Sequence, residues 1–197
     1  MSPYQIQHKD NQVAIFHTET GEQVSQWWGK IYAFYLLKEI SPYYIARNKD
    51  GKWAAFHVNN PEKHITQWWD WVAEVGLFAG DSDYYIAEDK NKYRAIFHKD
   101  NPYEPISKWW SDIASYGLIE EKSDYYIVMN QDEKWAIFHK DNPNEPISQW
   151  WDDIEATGLV SDQSKYYLAK KQHKWAIYHM SNPNQPISGW WDKIHPY

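Results

Sequence analysis

The chain of 197 residues contains no cysteine, so neither a disulfide framework nor a thiolate metal site can form, and a reducing compartment suits it. Glycine is scarce, at eight residues, and no Gly-x-Gly-x-x-Gly, phosphate loop or Gly-x-Ser-x-Gly elbow occurs. His-Glu-x-x-His and calcium-loop patterns are missing as well. No catalytic residue, cofactor or metal is therefore expected, and the chain reads as a non-enzyme. Long apolar runs are absent: the longest covers residues 31–37, far short of the ~20 that cross a bilayer. The opening Met1-Ser2-Pro3-Tyr4-Gln5 lacks the basic and then apolar pattern of a signal peptide, and there is no Asn-x-Ser/Thr acceptor. Basic residues are in deficit, 20 against 27 acidic, for a net charge of -7. That balance argues against nucleic acid as a general partner, because phosphate binding needs basic patches. These absences together lead us to expect a soluble, cytoplasmic protein of bacterial type, with signal-less secretion left open.

What the chain has is aromatic area: 14 Trp and 16 Tyr, enough to build a core at a mean hydropathy of -0.83. Adjacent tryptophans recur five times, as Trp27-Trp28, Trp68-Trp69, Trp109-Trp110, Trp150-Trp151 and Trp190-Trp191. The steps between pairs are 41, 41, 41 and 40 residues. One supersecondary unit is therefore used five times, and such units bury their apolar faces only against neighbours. The expected organisation is a single repeat domain over 1–197, with repeats at 4–42, 43–83, 84–124, 125–165 and 166–197. No stretch reads as an interdomain linker.

Repeats two to five open on Tyr43-Tyr44-Ile45-Ala46, Tyr84-Tyr85-Ile86-Ala87, Tyr125-Tyr126-Ile127-Val128 and Tyr166-Tyr167-Leu168-Ala169. Aromatic and β-branched runs favour a strand. A polar turn such as Arg47-Asn48-Lys49-Asp50-Gly51 follows, and then a second run such as Lys134-Trp135-Ala136-Ile137-Phe138-His139. Two such runs around a short turn predict a β-hairpin. An Asn-Pro-x-x-Pro loop comes next, as in Asn142-Pro143-Asn144-Glu145-Pro146 and Asn182-Pro183-Asn184-Gln185-Pro186. Its prolines fix φ and remove donors, so a rigid spacer without a regular ladder is expected.

The Trp-Trp segment admits two readings. As a helix, Ser148 would be the N-cap, Trp150 and Ile154 would share a face, and Gly158 would be C′; the second repeat repeats the pattern through Trp68, Val72 and Val75. As a strand, Ile147, Gln149, Trp151 and Asp153 would alternate with their neighbours. Local signals favour the short helix.

The residues Lys134-Trp135-Ala136-Ile137-Phe138-His139, Pro146-Ile147, Trp150-Trp151-Asp152-Asp153-Ile154, Gly158-Leu159-Val160 and Tyr166-Tyr167-Leu168 together resemble the bacterial WG (KWG) β-repeat. The chain departs from that family's pattern by placing Ala54, Ala95, Ala136 and Ala176 at its signature glycine, and His where it usually has Asp. The resemblance covers nearly the whole chain. It implies a β-rich scaffold without a general enzymatic activity, and a strand at the Trp-Trp segment.

The candidate ligand-binding residues are one Trp and one His per repeat: Trp28, Trp69, Trp110, Trp151 and Trp191, with His57, His98, His139 and His179. The competing structural reading of the Trp pairs is that one member fills the interface between repeats and the other covers the edge. An exposed member in each repeat would instead make a multivalent sugar-stacking or protein-binding platform. The recurring His, which includes His17, lacks a second ligand at metal-site spacing. A hydrogen bond to the backbone of the following turn is its expected role. Asp70, Asp152 and Asp192 follow Trp pairs, and a solvated face or cap is the stronger reading for them than paired glycosidase carboxylates.

The fold expected is mainly β, with five tandem hairpin-based repeats of about 41 residues, each carrying a short third strand or helix. A closed five-bladed ring competes with an open array. The first repeat favours the open array, because Val13 replaces Trp and Ile31, Phe34, Leu36 and Leu37 add apolar surface as in a capping unit. The expected function is non-enzymatic protein–protein interaction; multivalent carbohydrate binding is the alternative, and neither nucleic acid nor membrane is an expected partner.

Overall fold

A computed structural model describes residues 2–156 and 164–193. The chain is mainly β, built of tandem hairpins, and among the described residues none of its small antiparallel sheets closes on itself. The five hairpins are β1 (Tyr4–Lys9) with β2 (Gln12–His17), β4 (Tyr43–Arg47) with β5 (Trp53–His57), β8 (Tyr84–Glu88) with β9 (Arg94–His98), β11 (Tyr125–Met129) with β12 (Trp135–His139), and β14 (Tyr166–Lys171) with β15 (Lys174–His179). The chain forms two compact units. The first takes the chain up to Lys92 and returns for Ile96–Pro105; the second takes Tyr93–Ala95 and the chain from Ile106 on.

The Tyr-Tyr dipeptide shows how each hairpin orients itself. Successive strand residues point to opposite faces. Tyr43 meets His57 edge-on, while Tyr44 turns inward and stacks on Phe56 at 5.4 Å. The same split recurs in Tyr125–His139 against Tyr126–Phe138 and in Tyr166–His179 against Tyr167–Tyr178. Pairing is in register, with Tyr44 opposite Phe56 and Ala46 opposite Ala54. The equivalent alanines Ala54, Ala95, Ala136 and Ala176 are wholly buried.

The helix reading of the Trp-Trp segment is overturned, and the strand reading holds. After each of the first four Trp pairs comes a short strand: β3 (Lys30–Tyr32), β7 (Trp71–Val72), β10 (Asp112–Ile113) and β13 (Asp153–Glu155). Each lies antiparallel on the first strand of the next hairpin: β3 on β4, β7 on β8, β10 on β11 and β13 on β14. Every such sheet thus joins residues of two sequence repeats. Ahead of the strand, the backbone of the second Trp exchanges two hydrogen bonds with the start of its own repeat's second hairpin strand. The pairs are Trp28 with Val13, Trp69 with Trp53, Trp110 with Arg94, Trp151 with Trp135 and Trp191 with Trp175, all at 2.8–2.9 Å. Those bonds hold the segment extended and outweigh its local helical pattern.

Gly158, read as a helix C′, lies outside the described residues. Its equivalents Gly76 and Gly117 open the 3-10 turns Gly76–Phe78 and Gly117–Glu120, with φ of 63° and 77°. The one α-helix among the described residues, α1 (Phe34–Leu37), lies in the apolar extension of the first repeat, where it buries Leu36 and leaves Phe34 exposed.

The proline loop also departs from expectation. In the fifth repeat it forms a fourth strand, β16 (Asn182–Pro186), paired to β15, and in the second repeat the counterpart segment, which lacks the second proline, forms β6 (Asn60–His64), paired to β5. The register slips at Phe56/His57 and at Tyr178/His179. Edge position and a bulge let proline sit in a strand, since its missing N–H faces no partner.

Candidate functional site

The Trp pairs are the best-defined feature of each repeat, and the structure divides their labour. The second Trp reaches forward into the next repeat's aromatic core: Trp28 to Phe56 at 5.2 Å, Trp69 to Phe97 at 5.0 Å, Trp110 to Phe138 at 5.1 Å and Trp151 to Tyr178 at 4.9 Å. The first Trp covers its own repeat, as in Trp27 on Phe16, Trp68 on Phe56, Trp150 on Phe138 and Trp190 on Tyr178. It also meets the preceding second Trp, in Trp28–Trp68 and Trp110–Trp150. Of the five candidate tryptophans, Trp28, Trp69 and Trp110 are half-buried, Trp151 is buried, and Trp191 is 45% exposed. The structure does not bring them together on one open face.

The position read from the sequence in Ser148 as a helix N-cap anchors the pairs instead. Two positions before each pair stands a hydroxyl: Ser25, Thr66, Ser107, Ser148 or Ser188. The hydroxyls of Ser25, Thr66, Ser148 and Ser188 accept the backbone N–H of Ile15, Ala55, Ile137 and Ile177 at 2.9–3.0 Å. Each donates in turn to the carbonyl of the residue after it. Ser148 does satisfy a backbone donor, as an N-cap would, but one eleven residues earlier in a strand. The recurrence of Ser or Thr at a fixed offset from five Trp pairs was the available signal.

The histidines sit where the hairpin hands over to the loop. His57, His98, His139 and His179 accept through Nδ1 the N–H of Asn59, Asp100, Asp141 and Ser181 at 3.1–3.2 Å, the backbone role expected of them. Nε2 of His98 and of His139 lies 3.9 Å from Asp83 and Asp124 respectively. Among the described residues no cluster of three metal-ligating side chains forms.

Of the acidic residues after the Trp pairs, Asp70 and Asp152 are engaged in ion pairs rather than merely solvated. Asp70 binds Lys52 at 2.6 Å and Asp152 binds Lys134 at 2.5 Å. The Lys134 ammonium and then the Gln172 N–H hold the Asp152 carboxyl below the usual carboxylate range. In the third repeat the equivalent positions are Tyr93 and Ser111, and the ion pair moves one residue on, to Arg94–Asp112. A groove of about 310 Å³ opens beside Tyr93, Trp109, Trp110 and Ser111.

No family model and no curated protein matches the chain. Among solved structures, a crystal structure of the eukaryotic initiation factor is similar at 12% identity, over 91% of this chain and 50% of that one, with a TM-score of 0.47. Kluyveromyces lactis Hsv2 is similar at 10% identity, over 92% of this chain and 58% of that one, with a TM-score of 0.45. The chain thus spans between half and three-fifths of the length of these two proteins, and likeness at this level carries no functional statement.

Proposed function

We propose that the chain is a non-enzymatic scaffold of WG-like hairpin repeats that mediates protein–protein interaction through the aromatic face of its fifth repeat. The supporting observation is a contrast between equivalent positions. Ile187, Trp190 and Trp191 are 38–56% exposed, whereas Ile147, Trp150 and Trp151 of the fourth repeat are buried or half-buried. Large apolar side chains left exposed side by side in sequence, as Trp190 and Trp191 are, mark a candidate interaction site. Within the chain, the equivalent Trp face is met by an aromatic ring of a β-hairpin, as Trp151 is by Tyr178. A partner that offers an aromatic-edged hairpin fits the same face. The cysteine-free composition suits a reducing, cytoplasmic setting for such a scaffold.

The test is partner capture on the full chain, compared with a Trp190→Ala/Trp191→Ala variant that keeps its far-UV circular dichroism. A partner that binds the parent protein and is weakened at least about tenfold by the variant supports the proposal. A partner held equally by both, or none held by either, overturns it.

A further inference from the structure

The groove at the third repeat departs from the pattern of the repeats on either side of it. Eighteen residues separate Lys52 from Asp70 and Lys134 from Asp152, and each pair closes an ammonium onto a carboxylate at 2.5–2.6 Å. The same spacing in the third repeat joins Tyr93 to Ser111. Both halves of the ion pair are replaced together, and the charge pair reappears one position along as Arg94–Asp112. An ionic clasp has become a phenol and a hydroxyl beside a groove of about 310 Å³, at the small end of small-ligand sites.

The lining chemistry is specific. Tyr93, Trp109 and Trp110 contribute aromatic surface, and the β11–β12 turn contributes Asn130 and Gln131. The Gln131 amide nitrogen donates to the Tyr93 hydroxyl at 2.7 Å, which fixes the phenol. The Asn130 side-chain oxygen accepts the N–H groups of Asp132 and Lys134 at 2.9 and 3.0 Å, so what it offers a ligand is its NH2. Asp132 supplies an acceptor at the rim, and among the described residues no lysine, arginine or histidine lines the groove.

Flat aromatic faces suit the apolar C–H face of a sugar ring, and carboxamides, hydroxyls and a carboxylate suit its hydroxyl groups. The absence of a cation from the lining disfavours phosphate or other anions. We propose that this groove is a single binding site for a neutral saccharide, formed by replacing the Lys–Asp clasp with Tyr93 and Ser111. The proposal goes beyond the protein-interaction reading and is independent of it, since the groove lies in the third and fourth repeats and the interaction face in the fifth.

The test titrates the full chain with maltose, cellobiose, mannobiose and N,N′-diacetylchitobiose by calorimetry, with tryptophan fluorescence in parallel. The informative variant is Tyr93→Lys/Ser111→Asp, which copies the clasp of the repeats on either side and is therefore expected to fold. Binding of at least one saccharide at one per chain, weakened at least about tenfold in the variant while near-UV circular dichroism is retained, is the expected result. A second variant, Gln131→Ala, keeps the clasp open and should weaken binding without abolishing it. Silence across the panel, several ligands per chain, equal binding by parent and clasped variant, or recognition of a proline-rich peptide in place of every saccharide overturns the proposal.

Discussion

Trp151 and Trp191 occupy the same position in consecutive repeats and have opposite environments, 2% against 45% exposed. Removing the Trp151 side chain opens a cavity against Tyr178, and Trp151→Ala should cost about 3–5 kcal/mol. Trp150→Ala removes a half-buried ring that covers Phe138, so a smaller loss is expected. Trp191→Ala should stay within about 0.5 kcal/mol of the parent, as surface changes usually do. Urea unfolding of the three variants measures the order; equal losses at Trp151 and Trp191 would show that the packing of this position does not depend on the hairpin that follows. The Trp pairs were visible in the sequence, and so was the need for one member to fill an interface. Which member does so was not, because adjacent residues carry the same local signal and only the path of the backbone aims one ring forward.

At the scale of the element, the hydroxyl two positions before each Trp pair couples the third strand segment to the hairpin. Ser148→Ala would leave the buried Ile137 N–H without its acceptor, at about 1–3 kcal/mol. Amide exchange at Ile137 should accelerate in that variant. Ser148→Thr should be tolerated, because Thr66 holds the Ala55 N–H in the same way at 3.0 Å. Unchanged exchange at Ile137 in the alanine variant would refute the coupling. The hairpins were legible because period-2 aromatic runs around polar turns have a single cheap solution. The Trp-Trp segment was misleading because Ser148, Trp150 and Ile154 match a capped helix locally. The decisive bonds, between Trp151 and Trp135, reach across sixteen residues and leave no trace in a local window.

Across the whole molecule, four equivalent tyrosines carry the inner layer: Tyr44, Tyr85, Tyr126 and Tyr167. Burial pushes all four hydroxyls well above the ordinary tyrosine value of 10.0. Indole N–H groups accompany two of them, Trp69 beside Tyr85 and Trp151 beside Tyr167. A folded-state value above the unfolded one gives stability that is whole below pH 10.0 and falls as the pH climbs from there through the raised value. Spectrophotometric titration of the sixteen tyrosines should therefore show a late group of at least these four, ionising together with loss of near-UV circular dichroism. A single smooth titration near pH 10 with the fold retained would contradict the burial.

The sequence by itself determined the repeat, its period, the hairpins and the aromatic core, because each follows from residue type and short-range spacing, which the backbone cannot evade. It also carried the replacement of Lys and Asp by Tyr93 and Ser111, as two departures eighteen residues apart. Tertiary structure decided the rest: that the Trp-Trp segment is extended, that each third strand completes the next repeat's sheet, that the proline loop becomes an edge strand in two repeats, and that Tyr93 and Ser111 flank one groove. All four depend on hydrogen bonds and ring contacts between residues distant in sequence, whose free energy is realised only once neighbouring repeats have packed.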